Sequence, residues 1–351
     1  MQGWVYAFHM KSNIWSMRLP IPLAGLLAIA GISGCSPGSP ATRAEFVYVG
    51  TFQVQAYDGA PKGILARGTK GSPGEVWVAQ HYGPIRRVTR YTPEGALLGT
   101  LHILPDSTGA NLRTLAAGED GATWLLQQYA LNSGSIVSVD RAGTAIKSVP
   151  LESGYTPVGI ASAAGLLYVS ELASAATGGP LKCHVKVFDQ TGALVRVFGN
   201  TGPNPLSRPE GVVAKDSSIW VCDADRMRLY RPDGRLIRSF GSGTAPGFNH
   251  WDPRSVALTS DNHLLVCDAA NRVVDEFQAD GKFLGNFDGE TVGGDLWFAP
   301  QFVATQPDGR GGDFVYVSTT SDLRPGHVDI LSRRVVFSQS RPGVLQPATT
   351  H

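Results

Sequence analysis

The chain has 351 residues, of which 42 are glycine, and only 17% are charged, against a usual fraction of about 25%. Thirty basic and 29 acidic side chains leave a formal net charge of +1, so the chain lacks the basic excess that nucleic-acid binding uses. An apolar content of 42% excludes a disordered chain, and abundant glycine with few charges favours many short strands joined by tight turns.

The N-terminus contains an apolar run at residues 19–34, preceded by Arg18 and closed by small residues. A charged start and a short apolar stretch predict an export signal in residues 1–34, because the run is shorter than the ~20 residues of a membrane span. Met17 is an alternative start of this signal.

The signal ends in Ile32-Ser33-Gly34-Cys35, which resembles the bacterial lipobox. The resemblance implies cleavage before Cys35, a lipid on Cys35 and an exported, membrane-anchored protein of the cell envelope, either periplasmic or on the outer surface. An ordinary secretory signal followed by a coincidental cysteine is the alternative. Residues 35–45 are then expected to form a flexible tether.

Three cysteines remain if Cys35 carries the lipid: Cys183, Cys222 and Cys267. An odd number excludes a complete disulfide framework. Cys222 and Cys267 occupy equivalent positions in two repeats, where the distance is usually too long for a bridge. We therefore expect both to be small buried residues.

An apolar segment with a central aromatic residue or leucine recurs six times at spacings of 44 to 52 residues. The central residues are Trp77, Trp124, Tyr168, Trp220, Leu265 and Tyr316. A second apolar segment precedes each copy, and a hairpin with glycine at its tip follows most of them. The tips are Gly95, Gly143, Gly192, Gly234 and Gly281.

Four strands in each repeat predict an all-β fold, a β-propeller of six four-stranded blades spanning residues 46–343. The segment Phe46–Thr51 lies too close to Trp77 for a whole blade, so we expect an extra N-terminal strand that closes the ring. Residues 344–351 are predicted to be a tail. No boundary for a second folded domain is visible.

The repeats at residues 209–241 and 253–281 resemble NHL repeats. The matching features are Pro209-Glu210-Gly211 and Pro253-Arg254-Ser255 before the first strand, and an aspartate, Asp223 or Asp268, at the end of the second. The other repeats match less well. We expect these aspartates to cap the turn that follows.

In a propeller, the residue before each first apolar segment points into the mouth of the central channel. These residues are Lys62, Arg113, Val158, Glu210, Arg254 and Gln301. The loops before the blades add aromatic residues, including Trp251 and Trp297. Polar groups inside an aromatic rim are typical of a ligand site. We therefore predict an anion or polar-ligand site built by Lys62, Arg113, Glu210, Arg254, Gln301, Trp251 and Trp297. The alternative is that the charged residues only neutralise one another.

An enzymatic function would require specific metal ligands at the channel mouth, as in enzymes with related propeller folds. The peptide-amidating lyase, which resembles this repeat family, holds zinc with histidines at mouth positions, and none of the six positions here is histidine. Gluconolactonase-like enzymes bind a divalent cation with an acid from the innermost strand, a part that Glu210 suits, but its partners are not identifiable from the sequence. No pair of histidines has metal-ligand spacing.

The sequence therefore favours a binding or interaction scaffold, without catalytic residues or a cofactor, that acts through the channel mouth. The expected partner is a protein, a peptide or a glycan, together with the membrane through Cys35; nucleic acid is not expected. A metal-dependent hydrolase or lyase, using Ca²⁺ or Zn²⁺, is the first alternative. A structural subunit of an envelope complex is the second.

Overall fold

The computed structural model describes residues 42–54, 61–68, 74–82, 85–102, 111–118, 121–129, 132–174, 182–241, 250–294, 297, 299–319 and 326–337. The expected export signal, Cys35 and the tail at 344–351 lie outside these residues. Every regular element described is a β-strand. In these ranges, no helix has the length and apolar character required to cross a bilayer.

The strands form six antiparallel sheets of four, which confirms the predicted six-bladed β-propeller. The first strand of the chain is β1 (Thr42–Gln53). Blade 1 contains β2 (Pro61–Arg67), β3 (Glu75–Tyr82), β4 (Ile85–Tyr91) and β5 (Leu97–His102). Blade 2 contains β6 (Asn111–Ala117), β7 (Thr123–Tyr129), β8 (Ser133–Val139) and β9 (Ala145–Pro150). Blade 3 contains β10 (Tyr155–Ala163), β11 (Leu166–Ala173), β12 (His184–Asp189) and β13 (Leu194–Phe198).

The second half of the chain repeats this plan. Blade 4 contains β14 (Pro209–Lys215), β15 (Ser218–Asp223), β16 (Arg226–Tyr230) and β17 (Leu236–Gly241). Blade 5 contains β18 (Pro253–Leu258), β19 (Leu264–Asp268), β20 (Val273–Phe277) and β21 (Phe283–Phe287). Blade 6 contains β22 (Pro300–Pro307), β23 (Asp313–Thr319) and β24 (His327–Phe337).

The N-terminal strand closes the ring, because β1 pairs with β24 and gives blade 6 the order β1-β24-β23-β22. The register runs from Thr42 opposite Phe337 to Gln53 opposite His327. The strand is therefore the fourth strand of blade 6 and not an addition to a complete blade. Main-chain hydrogen bonds thus join the two ends of the fold.

The first strand of each blade lies innermost, and neighbouring first strands contact one another around a central channel. We call the face where these strands begin the mouth face; it carries the loops between blades and the loops joining second to third strands. The opposite face, the hairpin face, carries the tight turns joining third to fourth strands. Those turns have Gly95, Gly143, Gly192, Gly234 and Gly281 at φ between +83° and +88°, as the sequence predicts.

Apolar side chains from neighbouring blades form the core. Trp220 of blade 4, for example, packs in one cluster with Val266 and Phe277 of blade 5. Glycine allows the innermost strands to approach closely, since a Cβ at Gly211 would lie 2.8 Å from the Arg254 carbonyl oxygen and the Ser255 Cα. Cys222 and Cys267 are buried free thiols within these clusters, in line with the expectation.

Candidate functional site

A β-bulge at the start of each first strand places the six mouth residues. The register with the second strand shifts at Pro61/Gly63, Leu112/Thr114, Pro157/Gly159, Pro209/Val212, Pro253/Ser255 and Pro300/Phe302. A bulge redirects the residue it contains. The residues inside these six bulges include Lys62, Arg113, Val158, Glu210, Arg254 and Gln301, and all six line the channel.

The channel is a cavity of about 540 Å³, a volume typical of small-ligand sites. Its mouth end is lined by the six bulge residues. The middle is lined by small and branched apolar side chains of the first strands, and Lys215, Ser260 and Asp313 line the hairpin end. The site thus combines an apolar shaft with a charged mouth.

One side of the mouth is cationic. Lys62 and Arg113 belong to adjacent blades, and burial together with the Arg113 charge lowers the pKa of Lys62. Burial also lowers the pKa of Arg113, although Glu210 partly offsets this. The Arg113 Nε atom is buried without a hydrogen-bond partner among the described residues. A half-buried guanidinium with an unsatisfied Nε, beside a second cation, is electrostatically less favourable than one paired with an anion.

The opposite side of the mouth is an ion-pair network. Arg254 Nη1 lies 3.3 Å from Glu210 Oε1, while its Nε and Nη2 donate to Asp252 Oδ2 at 2.8 and 2.7 Å. Arg208 donates to the other oxygen of Asp252. Burial raises the pKa of Glu210 despite the nearby arginines. Arg254 is therefore largely neutralised by its neighbours, whereas Arg113 is not.

Trp251 and Trp297 do not line the channel; both are buried between blades. The Trp251 indole N–H donates to Asp275 Oδ2 at 2.7 Å, and the Trp297 indole N–H donates to Asp329 Oδ2 at 2.6 Å. The sequence predicts them at the ligand, because aromatic residues in loops are typical of the rim of a site. Their apolar rings instead pack in the core, and each indole anchors the loop before its own blade.

This anchoring follows a rule that the sequence analysis missed. The same position of the third strand carries a buried polar side chain that reaches the preceding inter-blade loop in four blades. The contacts are Lys186 to Glu152, Arg228 to the carbonyls of Asn204 and Pro205, Asp275 to Trp251, and Asp329 to Trp297. The available signal is a charged residue at the same position of four third strands.

Asp223 departs from its expected role of capping the turn that follows it. Its Oδ1 accepts hydrogen bonds from the main-chain N–H groups of Ser207 and Arg208, at 2.8 and 2.7 Å, and so holds the loop before blade 4. Asp268 does cap the following turn, through the N–H groups of Ala270 and Asn271. Both aspartates are structural residues.

The mouth residues are poorly suited to a metal ion, since they comprise three cations and a single carboxylate. Among the residues that the structure describes, no group of three or more His, Cys, Asp or Glu side chains is arranged to hold a metal. His184, the first residue of β12, is buried with its Nε2 2.7 Å from Glu171 Oε2. These residues do not form the donor set that Ca²⁺ or Zn²⁺ requires.

Solved structures share the fold at low sequence identity. Virginiamycin B lyase from Staphylococcus aureus in complex with quinupristin is 15% identical, covers 84% of this chain and 100% of its own, and gives a TM-score of 0.53. A gluconolactonase from Xanthomonas campestris is 13% identical over 84% and 90%, with a TM-score of 0.54. Aldose sugar dehydrogenase from Streptomyces coelicolor, bound to PQQ, is 14% identical over 84% and 100%, with a TM-score of 0.55.

No family model and no curated protein matches the chain. The structural neighbours, which are named as a lyase, a dehydrogenase and a gluconolactonase, support the propeller fold alone, and the six blades are those of this structure. Function has to be argued from the site itself.

Proposed function

We propose that this protein is an exported, lipid-anchored binding protein that holds an anionic ligand at the mouth of its propeller channel. The ligand's carboxylate or phosphate group occupies the side formed by Lys62, Arg113 and Gln301. The observation that carries the proposal is Arg113, whose buried Nε has no hydrogen-bond partner in the part of the chain that the structure describes, while Lys62 lies beside it. An anion there supplies the missing acceptor and offsets the repulsion between the two cations.

The rest of the site fits a ligand that enters by one end. Val158 and the apolar shaft accept carbon atoms, while Glu210 offers an acceptor or a donor on the far side of the mouth. The anionic end of a peptide or an acidic glycan has this character, as does a small organic acid. The protein supplies recognition and position, with no covalent step. The lipid anchor on Cys35 and the NHL-type repeats belong to the same proposal and are supported by the sequence alone.

The proposal is tested by the thermal stability of the purified protein with a panel of acetate, succinate, citrate and inorganic phosphate, and with uncharged glucose as a control. A ligand that binds only the folded chain raises its stability. We expect an anion to raise the midpoint of unfolding and glucose to leave it unchanged. The double variant Arg113→Ala with Arg254→Ala should lose the response, and Arg235→Ala, an exposed arginine on the hairpin face, should keep it.

The second candidate function is an enzyme of the lactonase or lyase type. The observation in its favour is Glu210, whose carboxyl opens on the cavity with a raised pKa, as expected of a general acid or base. Addition of Ca²⁺ or Zn²⁺ distinguishes the metal-dependent form of this candidate. Stabilisation by either ion that is lost in Glu210→Gln supports the enzyme. A response to anions alone supports the binding protein.

A further inference from the structure

The fourth strands of blades 1 to 4 begin, at the hairpin face, with exposed apolar side chains. We call this set the apolar rim: Leu97, Leu98, Ile146, Leu194, Val195, Leu236 and Ile237, each between 36% and 61% exposed. Fourth strands are the edges of their sheets, and edges are usually protected by charges or coverage. A series of large apolar residues along one face indicates an interaction surface.

Exposed arginines lie among the apolar side chains of blade 4. Arg231, Arg235 and Arg238 flank Leu236 and Ile237 in the sequence, and all three arginines are exposed. The carboxylate of the nearby hairpin residue, Asp233, accepts the main-chain N–H of Arg235 at 2.9 Å. Apolar side chains interspersed with basic ones are typical of surfaces that lie in the headgroup region of an anionic bilayer.

The described chain also begins at the hairpin face. Thr42, the first residue of β1, pairs with Phe337 at the end of β24, whereas Gln53 pairs with His327 at the mouth-face end. Cys35 precedes Thr42 by seven residues. A chain spans at most about 3.6 Å per residue, so a lipid on Cys35 is confined to within about 25 Å of Thr42.

We propose that the apolar rim rests on an anionic lipid bilayer, with the channel mouth facing away from the membrane. The proposal rests on the lipid anchor of the proposed function and adds the surface and the orientation. A lipid attached through one residue holds the protein near the bilayer but does not fix the orientation of the propeller. The rim supplies a contact that fixes this orientation and leaves the cationic mouth open to its ligand.

The orientation is tested with the full chain, processed in a bacterial host and reconstituted into vesicles of phosphatidylethanolamine and phosphatidylglycerol that contain a spin-labelled quencher lipid. A fluorophore is attached either at Ala193→Cys, exposed on the blade 3 hairpin, or at His250→Cys, exposed on the mouth face. The described native cysteines are buried. We expect quenching at position 193 and little at 250. Equal quenching at both, or quenching at 250 alone, overturns the orientation.

The surface is tested by co-sedimentation of Cys35→Ser, which cannot carry the lipid, with the same vesicles at low salt. Replacing Leu194, Val195, Leu236 and Ile237 with serine removes apolar area from the rim and should weaken binding at least tenfold. The matched control is Val47→Ser with Val49→Ser, two comparably exposed residues in the middle of β1. It should change binding less than twofold. Unchanged binding in the rim variant contradicts the proposal, and so does a rim variant that instead dissociates a dimer. Circular dichroism confirms that both variants fold.

The mass of the intact protein shows whether Cys35 carries a lipid, and so separates failure of the anchor from failure of the rim. If Cys35 proves unmodified, the anchor is wrong, and the rim is tested alone in Cys35→Ser. Weak, salt-sensitive binding of this variant to phosphatidylglycerol vesicles, lost when the rim is substituted, still supports the surface. No binding by Cys35→Ser at low salt contradicts it.

Discussion

Blades 4 and 5 are the two repeats that match each other best, and they hold their preceding loops with side chains of opposite charge. In blade 4, Arg228 of the third strand lies 2.7 Å from Asp223 and donates to two loop carbonyls. In blade 5, the equivalent residue is Asp275, which stands near Asp268 and accepts the Trp251 indole N–H. All four of these acidic and basic residues are almost fully buried.

The difference has an electrostatic consequence. Blade 4 pairs unlike charges, whereas blade 5 places two carboxyl groups together inside an aromatic cluster. Burial, with the Asp268 charge adding to it, raises the pKa of Asp275 to about 7. The same position in the fold is therefore an ion pair in one blade and a titratable acid in the next. What the fold requires there is a hydrogen bond to the loop, and either charge can supply it.

Replacing Arg228 should have the largest effect on the free energy of unfolding. Arg228→Met keeps a similar length but leaves Asp223 buried without its cation and the loop carbonyls without a donor. We expect a loss of about 3–5 kcal/mol in the free energy of unfolding, measured by urea denaturation. Arg226→Met is the control. Arg226 is a half-buried arginine two residues earlier that pairs with Asp225, and its replacement should cost less than about 1 kcal/mol. If Arg228→Met also lost less than about 1 kcal/mol, the ion pair between Arg228 and Asp223 would not stabilise the blade.

Asp275→Asn should increase the free energy of unfolding, by an amount that depends on pH. A pKa raised from the ordinary 3.8 to about 7 means that the folded state binds a proton more tightly than the unfolded state. The Asp275 contribution to stability is therefore fully present below about pH 4 and is lost as pH rises to about 7. Asparagine accepts the Trp251 N–H without the charge. We expect the variant to gain about 2–4 kcal/mol over the parent at pH 8 and little near pH 4.

This pH dependence is read from urea denaturation of both proteins between pH 4 and pH 8. The difference between them isolates Asp275 from the other groups that titrate in this range. A difference that does not change with pH would contradict the assignment of a protonated carboxyl to blade 5.

Trp251→Phe should have the smallest effect on stability. Phenylalanine keeps the aromatic packing but removes the N–H donor to Asp275, at an expected cost of about 1–2 kcal/mol. Loss of this hydrogen bond should also raise the pKa of Asp275 further, since the indole favours the charged carboxylate. The shift is measurable as a movement of the pH-dependent stability change to higher pH. The control is Trp251→Phe in the Asp275→Asn background, where the pH effect should vanish.

The sequence predicts the scaffold of this protein well, because repeat spacing and hairpin glycines are local signals. The mouth residues are equally visible, since they stand at a fixed offset before each first strand. The same reasoning predicts Trp251 and Trp297 at the channel, which neither lines, although Trp251 lines a second pocket on the mouth face with Arg208 and Asp252. A loop tryptophan carries no local indication of whether its indole meets a ligand or an aspartate of the third strand, such as Asp275, 24 residues later in the chain.

Ionic partners are the other feature that the sequence does not specify. Arg113 and Arg254 occupy equivalent bulges, yet Arg254 is neutralised by Asp252 and Glu210 while Arg113 faces Lys62. The distinction depends on which residues meet across neighbouring blades, and only the closed ring determines that. It divides the mouth into a side whose charges pair with one another and a side where, in the proposed function, the anion binds.

The most direct test of the central claim is titration calorimetry with the anion that stabilises the protein most in the panel described above. We expect wild type and Arg235→Gln to bind it equally, and Arg113→Gln to bind at least tenfold more weakly. The affinity of the wild type should also fall as pH rises, because the anion favours the charged form of Lys62, whose pKa is lowered. Equal binding by Arg113→Gln and wild type would contradict an anion site at the channel mouth.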